Sequence, residues 1–393
     1  MTGLPVGRRV AQWRVRRNMT QQQFADRLGK SKSWVDKVER GVRPLERMSN
    51  LREVAEALRI DLEVLLAERI GQPDVAVAGV ARVRAALARY HVEASSRPPD
   101  VAKVRARLDH AEQSYRHARY PILLGLLPGL LDAAREARVV RPDPVTGELL
   151  VRAYGLVALV LVKVGQGELA WLAADRGMAV ALATDDARLA AVATVPLSQA
   201  LRAVGWRRSA METALVAARR LPPRESAQGP LPPGEPAGDG APSLHVTLRL
   251  QAALAAAGRG DERRAAGLLD QAATAAGTVA DDASRASVEA ARILAEAAVG
   301  DVPAATVRHE RLVAGEDWRW LPPEHRAAYL LDVARAQALA GDVPRAGRAL
   351  LDAERTARGE VHDRPAVRDL VAAVARSPAA PPDLTRLAAT LRV

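Results

Sequence analysis

The chain has 393 residues, a formal net charge of +11 and no cysteine. That length exceeds one compact core, so two or more domains are expected; the lack of thiols excludes disulfides, thiolate metal sites and cysteine nucleophiles together. A single Phe, abundant Ala, Leu, Val and Arg, no apolar N-terminal leader and no uninterrupted apolar stretch near the roughly 20 residues of a membrane span point to packed helices in a cytoplasmic protein.

The charge is unevenly placed. Residues 1–47 hold 12 basic and 4 acidic residues, a net of +8, and the rest of the chain holds 45 and 42. A concentrated basic segment beside a nearly balanced body is the pattern of a nucleic-acid module joined to something else. Of five lysines, Lys30, Lys32 and Lys37 fall close together in that segment.

In chain order, Val6–Arg17 reads as a first helix, with Val10 inward and Arg8, Arg9, Arg14, Arg16 and Arg17 supplying positive charge. The stretch from Thr20 to Gly41, TQQQFADRLGKSKSWVDKVERG, then reads as two short helices about a tight turn. Thr20 with Gln23 three residues on is a capping-box pattern. Gly29 suits the left-handed turn that ends the first helix, and Ser31 caps the second. Phe24, Ala25, Leu28, Val35 and Val38 form the inner face, leaving Lys32, Ser33, Asp36 and Lys37 outward. A helix of this size and polarity suits a major groove.

Thr20, Gln21, Ala25, Gly29, Ser31, Val35, Val38, Glu39 and Gly41 resemble the phage-repressor/Cro (XRE) family of DNA-binding domains over about residues 6–67; Phe24 stands where a leucine is usual. The resemblance implies five helices and operator binding as a homodimer. It also implies that Arg14 and Glu39 form an architectural ion pair. Lys32, Ser33 and Lys37 are the expected base contacts, and Gln21, Arg40, Arg43 and Arg47 the expected phosphate contacts. Trp34 either lies along the nucleic acid or packs as core. Leu51, Val54, Ala55 and Leu58 at helical spacing, capped by Ser49 or Asn50, give a fourth helix, and Asp61 with Leu62, Leu65 and Leu66 a fifth.

Gly71-Gln72-Pro73 ends this domain, so residues 1–70 are read as DNA-binding, 71–99 as a helical linker and 100–393 as a separate helical region. That region repeats. Gly165, Gly205, Gly260, Gly300 and Gly341 each follow an apolar helix, and each has alanine five residues on, at Ala170, Ala210, Ala265, Ala305 and Ala346. The one long interval contains the Pro/Gly-rich insertion 222–243, which cannot propagate a helix. Helix, glycine turn, and a second helix with a small residue at the crossing resemble tetratricopeptide repeats, most clearly over Ala327–Arg358. The expected fold is therefore all-α, a five-helix phage-repressor-like domain followed by a tetratricopeptide-like α-solenoid.

The glycines of Val157–Ala170 imitate a dinucleotide fingerprint and Leu28–Ser31 the end of a P-loop, but each lacks the context its motif needs. No Ser/His/Asp set, paired carboxylates or metal-spaced histidines stand out, and His110 and His117 are expected on a helix surface. No enzyme activity, cofactor or metal site is expected. Trp318 and Trp320 form the one aromatic concentration, either plugging the repeat stack or meeting an effector or partner. The reading is a sequence-specific transcription regulator binding double-stranded DNA, whose repeats dimerise it or sense a small-molecule, peptide or protein effector. The alternatives are a peptide-pheromone receptor and a DNA-tethered interaction scaffold. Against the pheromone receptor, the only asparagines are Asn18 and Asn50.

Overall fold

The computed structural model describes residues 6–17, 19–43, 45, 48–58, 75–90, 99–221, 243–279 and 282–393. Among these, every regular element is a helix, and the chain divides into two compact units, Met1–Val75 and Ala76–Val393.

The first unit contains α1 (Val6–Arg16), α2 (Gln21–Leu28), α3 (Lys32–Glu39) and α4 (Met48–Leu58). Their apolar faces meet in one cluster holding Val10, Phe24, Ala25, Val35, Leu51, Val54 and Leu58. The expected inward positions Val10, Phe24, Ala25, Val35 and Val38 are thus buried, while Leu28 is half-buried at the edge of the cluster. Helix α4 already begins at Met48, so Ser49 and Asn50 lie inside its first turn rather than capping it. The expected fifth helix, with Asp61, Leu62, Leu65 and Leu66, lies outside the described residues, as does Arg47.

The second unit opens with α5 (Val75–Leu87), α6 (Val101–Arg116) and α7 (Tyr120–Val140). Helix α5 falls in the stretch read as a linker, yet it buries Val80, Val83, Ala86 and Leu87 in the second unit's core. Five helical hairpins follow: α8 (Pro144–Lys163) with α9 (Gly167–Leu182), α10 (Ala187–Ala203) with α11 (Arg207–Arg220), and α12 (Leu244–Ala257) with α13 (Glu262–Val279). The others are α14 (Asp282–Ala298) with α15 (Val302–Ala314), and α16 (Pro323–Leu339) with α17 (Val343–Thr356), after which α18 (Arg358–His362), α19 (Pro365–Ala375) and α20 (Pro382–Leu391) complete the unit.

The five repeat glycines are the turns of these hairpins, all with φ between 75° and 95°. An L side chain pays about 1–2 kcal/mol in that conformation, so glycine is the residue that fits. The alanines five residues on are all buried, from 0 to 4% exposed. A small side chain there lets the two helices of a hairpin approach closely. All but residue 243 of the Pro/Gly-rich insertion lies outside the described residues; Ser243 accepts from the backbone N–H of Val246 and caps α12.

Helix α8 is long and apolar enough to cross a membrane by length and composition, which the short uninterrupted runs in its sequence do not suggest. It is mostly buried inside the second unit, touching α7, α9 and α10, so its apolarity belongs to a core helix.

The repeats coil until their two ends meet. One apolar cluster joins residues of α5–α10 to residues of α14–α20. At the join, Lys163 at the end of α8 pairs with Glu324 of α16 and lies 2.9 Å from the Glu360 carboxylate of α18. Arg364 and the Tyr120 hydroxyl also bind Glu360, and the Tyr115 hydroxyl donates to Glu324 at 3.4 Å. Burial alone would lower the Lys163 pKa, but Glu324 and Glu360 outweigh it and hold it above the usual lysine value. Burial would raise Glu360, yet Lys163 and Arg364 hold it below the usual carboxylate range. Two cations and two carboxylates therefore neutralise one another where isolated charges would be costly. Gly359 sits against the Ala118 carbonyl so closely that a Cβ would lie 1.9 Å from its oxygen.

Candidate nucleic-acid interface

The site is built by the turn between α2 and α3. The Thr20 hydroxyl accepts from the Gln23 backbone N–H at 3.1 Å, and the Gln23 side chain accepts from the Thr20 N–H at 2.9 Å. This reciprocal pair fixes where α2 begins. Gly29, with φ 63°, ends it. Ser31 then accepts from the Trp34 N–H at 3.1 Å and starts α3. Val35 and Val38 are buried, so the register of α3 leaves Lys32, Ser33 and Lys37 on the exposed side.

Helix α3 is held from behind. The Arg14 guanidinium bonds the Glu39 carboxylate through Nε at 2.6 Å and Nη2 at 3.2 Å, and its Nη1 donates to the Met19 carbonyl at 2.7 Å. The expected pair is therefore bidentate, and both side chains are largely buried. Gln21 joins it, donating Nε2 to Glu39 Oε2 at 2.9 Å. Gln21 spends one amide hydrogen on positioning α3, and only its second remains for a phosphate. Gly7 of α1 crosses α3 where a Cβ would lie 1.9 Å from the Val38 carbonyl oxygen.

The remaining candidates divide. Lys32, Ser33 and Lys37 present two cations and a hydroxyl to solvent, able to address base edges or phosphate. Arg40 is exposed but paired with Asp36 one turn back, so its charge is partly spent within α3. Arg43 is exposed after Gly41, and its backbone N–H donates to the Lys37 carbonyl at 3.0 Å. Trp34 is half-buried and packs on the cluster of Val10, Phe24 and Val35, so at least one of its faces belongs to the core. The Asp36–Arg40 pair was missed by sequence reasoning, although opposite charges four apart on a helix signal it.

Trp318 and Trp320 lie apart from these. Trp318 stands edge-to-face with Tyr329, ring centroids 5.7 Å apart, and packs against the repeat core. Trp320 is 37% exposed, with the Arg319 guanidinium 5.4 Å from its ring centroid. His110 and His117 are both exposed. No group of His, Asp and Glu with metal-ligand spacing occurs among the described residues.

Residues 5–68 match a family model described as a helix-turn-helix domain. No curated protein matches the sequence. Among solved structures, the chain is similar to PlcR of Bacillus thuringiensis, crystallised in complex with the peptide PapR7 and DNA, at 14% identity and a TM-score of 0.38 over 86% of this chain and 98% of that one. It is also similar to BtubC (BKLC) from P. vanneervenii, at 19% identity and a TM-score of 0.39 over 64% of this chain and 90% of that one.

Proposed function

From a chain whose residues 5–68 match a helix-turn-helix family model, we propose a sequence-specific DNA-binding transcription regulator, read out by Met1–Val75 and governed by the repeats of Ala76–Val393. The observation that carries this reading is the outer face of α3. Lys32, Ser33 and Lys37 are exposed together on a helix whose back is fixed by the Arg14–Glu39–Gln21 network. A groove reader needs that combination of free polar tips and a rigid mount.

Lys32, Ser33 and Lys37 address base edges, while Arg40 and Arg43 anchor the phosphates and fix the register. Gln21 positions α3 and offers its remaining amide hydrogen to a phosphate at the start of α2, where free backbone N–H groups also favour an anion. The chain acts as a homodimer on two half-sites about one helical turn apart, roughly 34–36 Å. The repeats dimerise the protein or carry an effector site that sets when the two heads are correctly spaced. The protein works in the cytoplasm on double-stranded DNA.

Mobility shifts of genomic fragments by the full chain, with excess bulk DNA as competitor, test the proposal. A small set of fragments retained against competitor is the expected result. Equal competition by every fragment would overturn it.

A further inference from the structure

We infer that the interior of the repeats holds a binding site for a compact, mostly apolar molecule carrying one carboxylate. The inference gives the effector a chemical class and so deepens the sensing role proposed above, but its test reads ligand binding and not DNA affinity.

A cavity of about 300 Å³ opens between α10, α12, α14 and α16, at the lower end of volumes typical of small-molecule sites. One face of each helix supplies its wall. On α14 the lining residues are Ser287, Ala290, Ala291 and Leu294, at i, i+3, i+4 and i+7. On α12 the same spacing brings Thr247, Leu250, Gln251 and Leu254 to the cavity, and Val195 and Gln199 face it from α10. The walls are thus mainly aliphatic, which suits an apolar body.

The polar groups have a common character. The Ser287 side chain is 2% exposed, and its hydroxyl has no hydrogen-bond partner among the described residues. A buried hydroxyl without a partner is costly, about 1–3 kcal/mol, so it marks a place where a ligand oxygen would be welcome. Gln251 is 8% exposed, and its side-chain oxygen already accepts from Arg202 Nη2 at 3.1 Å. The free end of that amide is therefore its NH2, a donor. Behind Gln251, the Arg202 guanidinium has a buried Nε with no partner and no carboxylate within salt-bridge distance among the described residues. Asp332 acts on Arg202 from farther off, and its own carboxylate is held by Arg335 at 2.9 Å. Arg207 adds a further positive charge from α11.

Among the described residues, no carboxylate lines the cavity. Of its other polar walls, Gln199 of α10 is a neutral amide, Thr247 of α12 donates its hydroxyl to the Ser243 carbonyl at 3.1 Å, and His325 of α16 is kept below the usual histidine range by burial and is neutral near pH 7. A hydroxyl, an amide NH2 and a guanidinium behind them, with no acid to satisfy them, select an anionic acceptor over a cation or an alcohol. The aliphatic walls select a short hydrocarbon to carry it. His325 follows Glu324, which pairs with Lys163 where the ends of the repeats meet. An occupant of the cavity therefore touches the helix that carries this closure.

Isothermal titration calorimetry of the full chain with sodium octanoate provides the test, with octanol and octylammonium as neutral and cationic counterparts. The expected result is saturable binding of octanoate with one site per chain, at least tenfold tighter than either counterpart. Ser287→Ala should weaken it about tenfold, and Ser287→Leu, which fills the cavity, should abolish it with the far-ultraviolet dichroism unchanged. Absence of saturable heat from octanoate overturns the inference, as does equal affinity for octanol or full binding by the folded Ser287→Leu chain. If octanoate binds while no DNA fragment is selected, the cavity assignment stands and the DNA reading fails.

Discussion

Glu39 receives Arg14 and Gln21 at once, and it does so from the last turn of the helix proposed to read DNA. Removing it would strand the Arg14 charge against the core, so Glu39→Ala should cost about 3 kcal/mol, at the lower end of measured losses for a broken buried pair. Urea unfolding of the full chain, followed by far-ultraviolet dichroism, checks this through an earlier transition of the first unit. Lys37→Ala makes a contrast. Its side chain is exposed and no hydrogen bond or ion pair engages it among the described residues, so stability should stay within about 0.5 kcal/mol. DNA affinity should fall, and the slope of log K against log salt should drop by about one unit if the contact is to phosphate. An unchanged slope with altered fragment preference would assign Lys37 to a base instead. Gly7→Ala would push a Cβ into the backbone of Val38, which has nowhere to go; a loss of about 1–3 kcal/mol is expected from such overpacking, measured by the same transition.

The residue roles were unevenly legible. The Arg14–Glu39 pair came from family resemblance, because nothing in local spacing joins residues 25 apart. Gln21 could not have been placed, since a helix-start glutamine looks the same whether it faces phosphate or a neighbouring carboxylate. Trp34 was undecidable for a similar reason: an indole at a boundary position is apolar enough to pack and polar enough to be wet.

At the scale of elements, the repeat was readable because its marker is conformational. Glycines at positive φ and alanines at helix crossings are forced by backbone sterics and close approach, so they show directly in sequence. The Gly-Asp pairs at Gly260, Gly300 and Gly341 add a second marker, as Asp301 and Asp342 each cap the helix that follows. Helix α5 was not readable as part of the second unit. Its apolar residues show that it packs, but not against which partner. Two glycines separate these effects. Gly300 has φ 95° and open space around its Cβ position, so Gly300→Ala suffers backbone strain alone and should lose about 1–2 kcal/mol. Gly267 lies within α13, also in open space, without positive φ. Gly267→Ala should gain about 0.5–1 kcal/mol from helix propensity. Thermal unfolding of the two variants should shift in opposite directions; a shared sign would contradict the turn assignment.

At the scale of the molecule, closure of the repeats was invisible in the sequence. Lys163 and Glu360 are far apart in the chain, and a lysine ending an apolar helix looks like an ordinary capping charge. Its consequence is a pH dependence. Glu360 is held below its unfolded value, so its stabilisation is present above about pH 4.3 and is lost as pH falls through the folded pKa. His309, His325 and His362 are all lowered chiefly by burial, so the unfolded chain binds their protons more readily below about pH 6.5. Both effects carry one sign. Unfolding of Ala76–Val393 should be nearly independent of pH from about 7 to 9 and should ease steadily below about 6.5. Lys163 is held above its ordinary value, so its contribution survives until strongly alkaline pH.

Whether α3 reads sequence through its exposed face is decided by selecting bound duplexes from a randomised pool with the full chain and with the Lys32→Ala/Lys37→Ala double variant. The wild-type chain should enrich two related half-sites about one helical turn apart. The folded double variant should lose that enrichment while keeping weak, salt-sensitive binding to all DNA. A wild-type chain that enriches nothing, or a double variant that enriches the same sequence as strongly, would contradict sequence reading by α3.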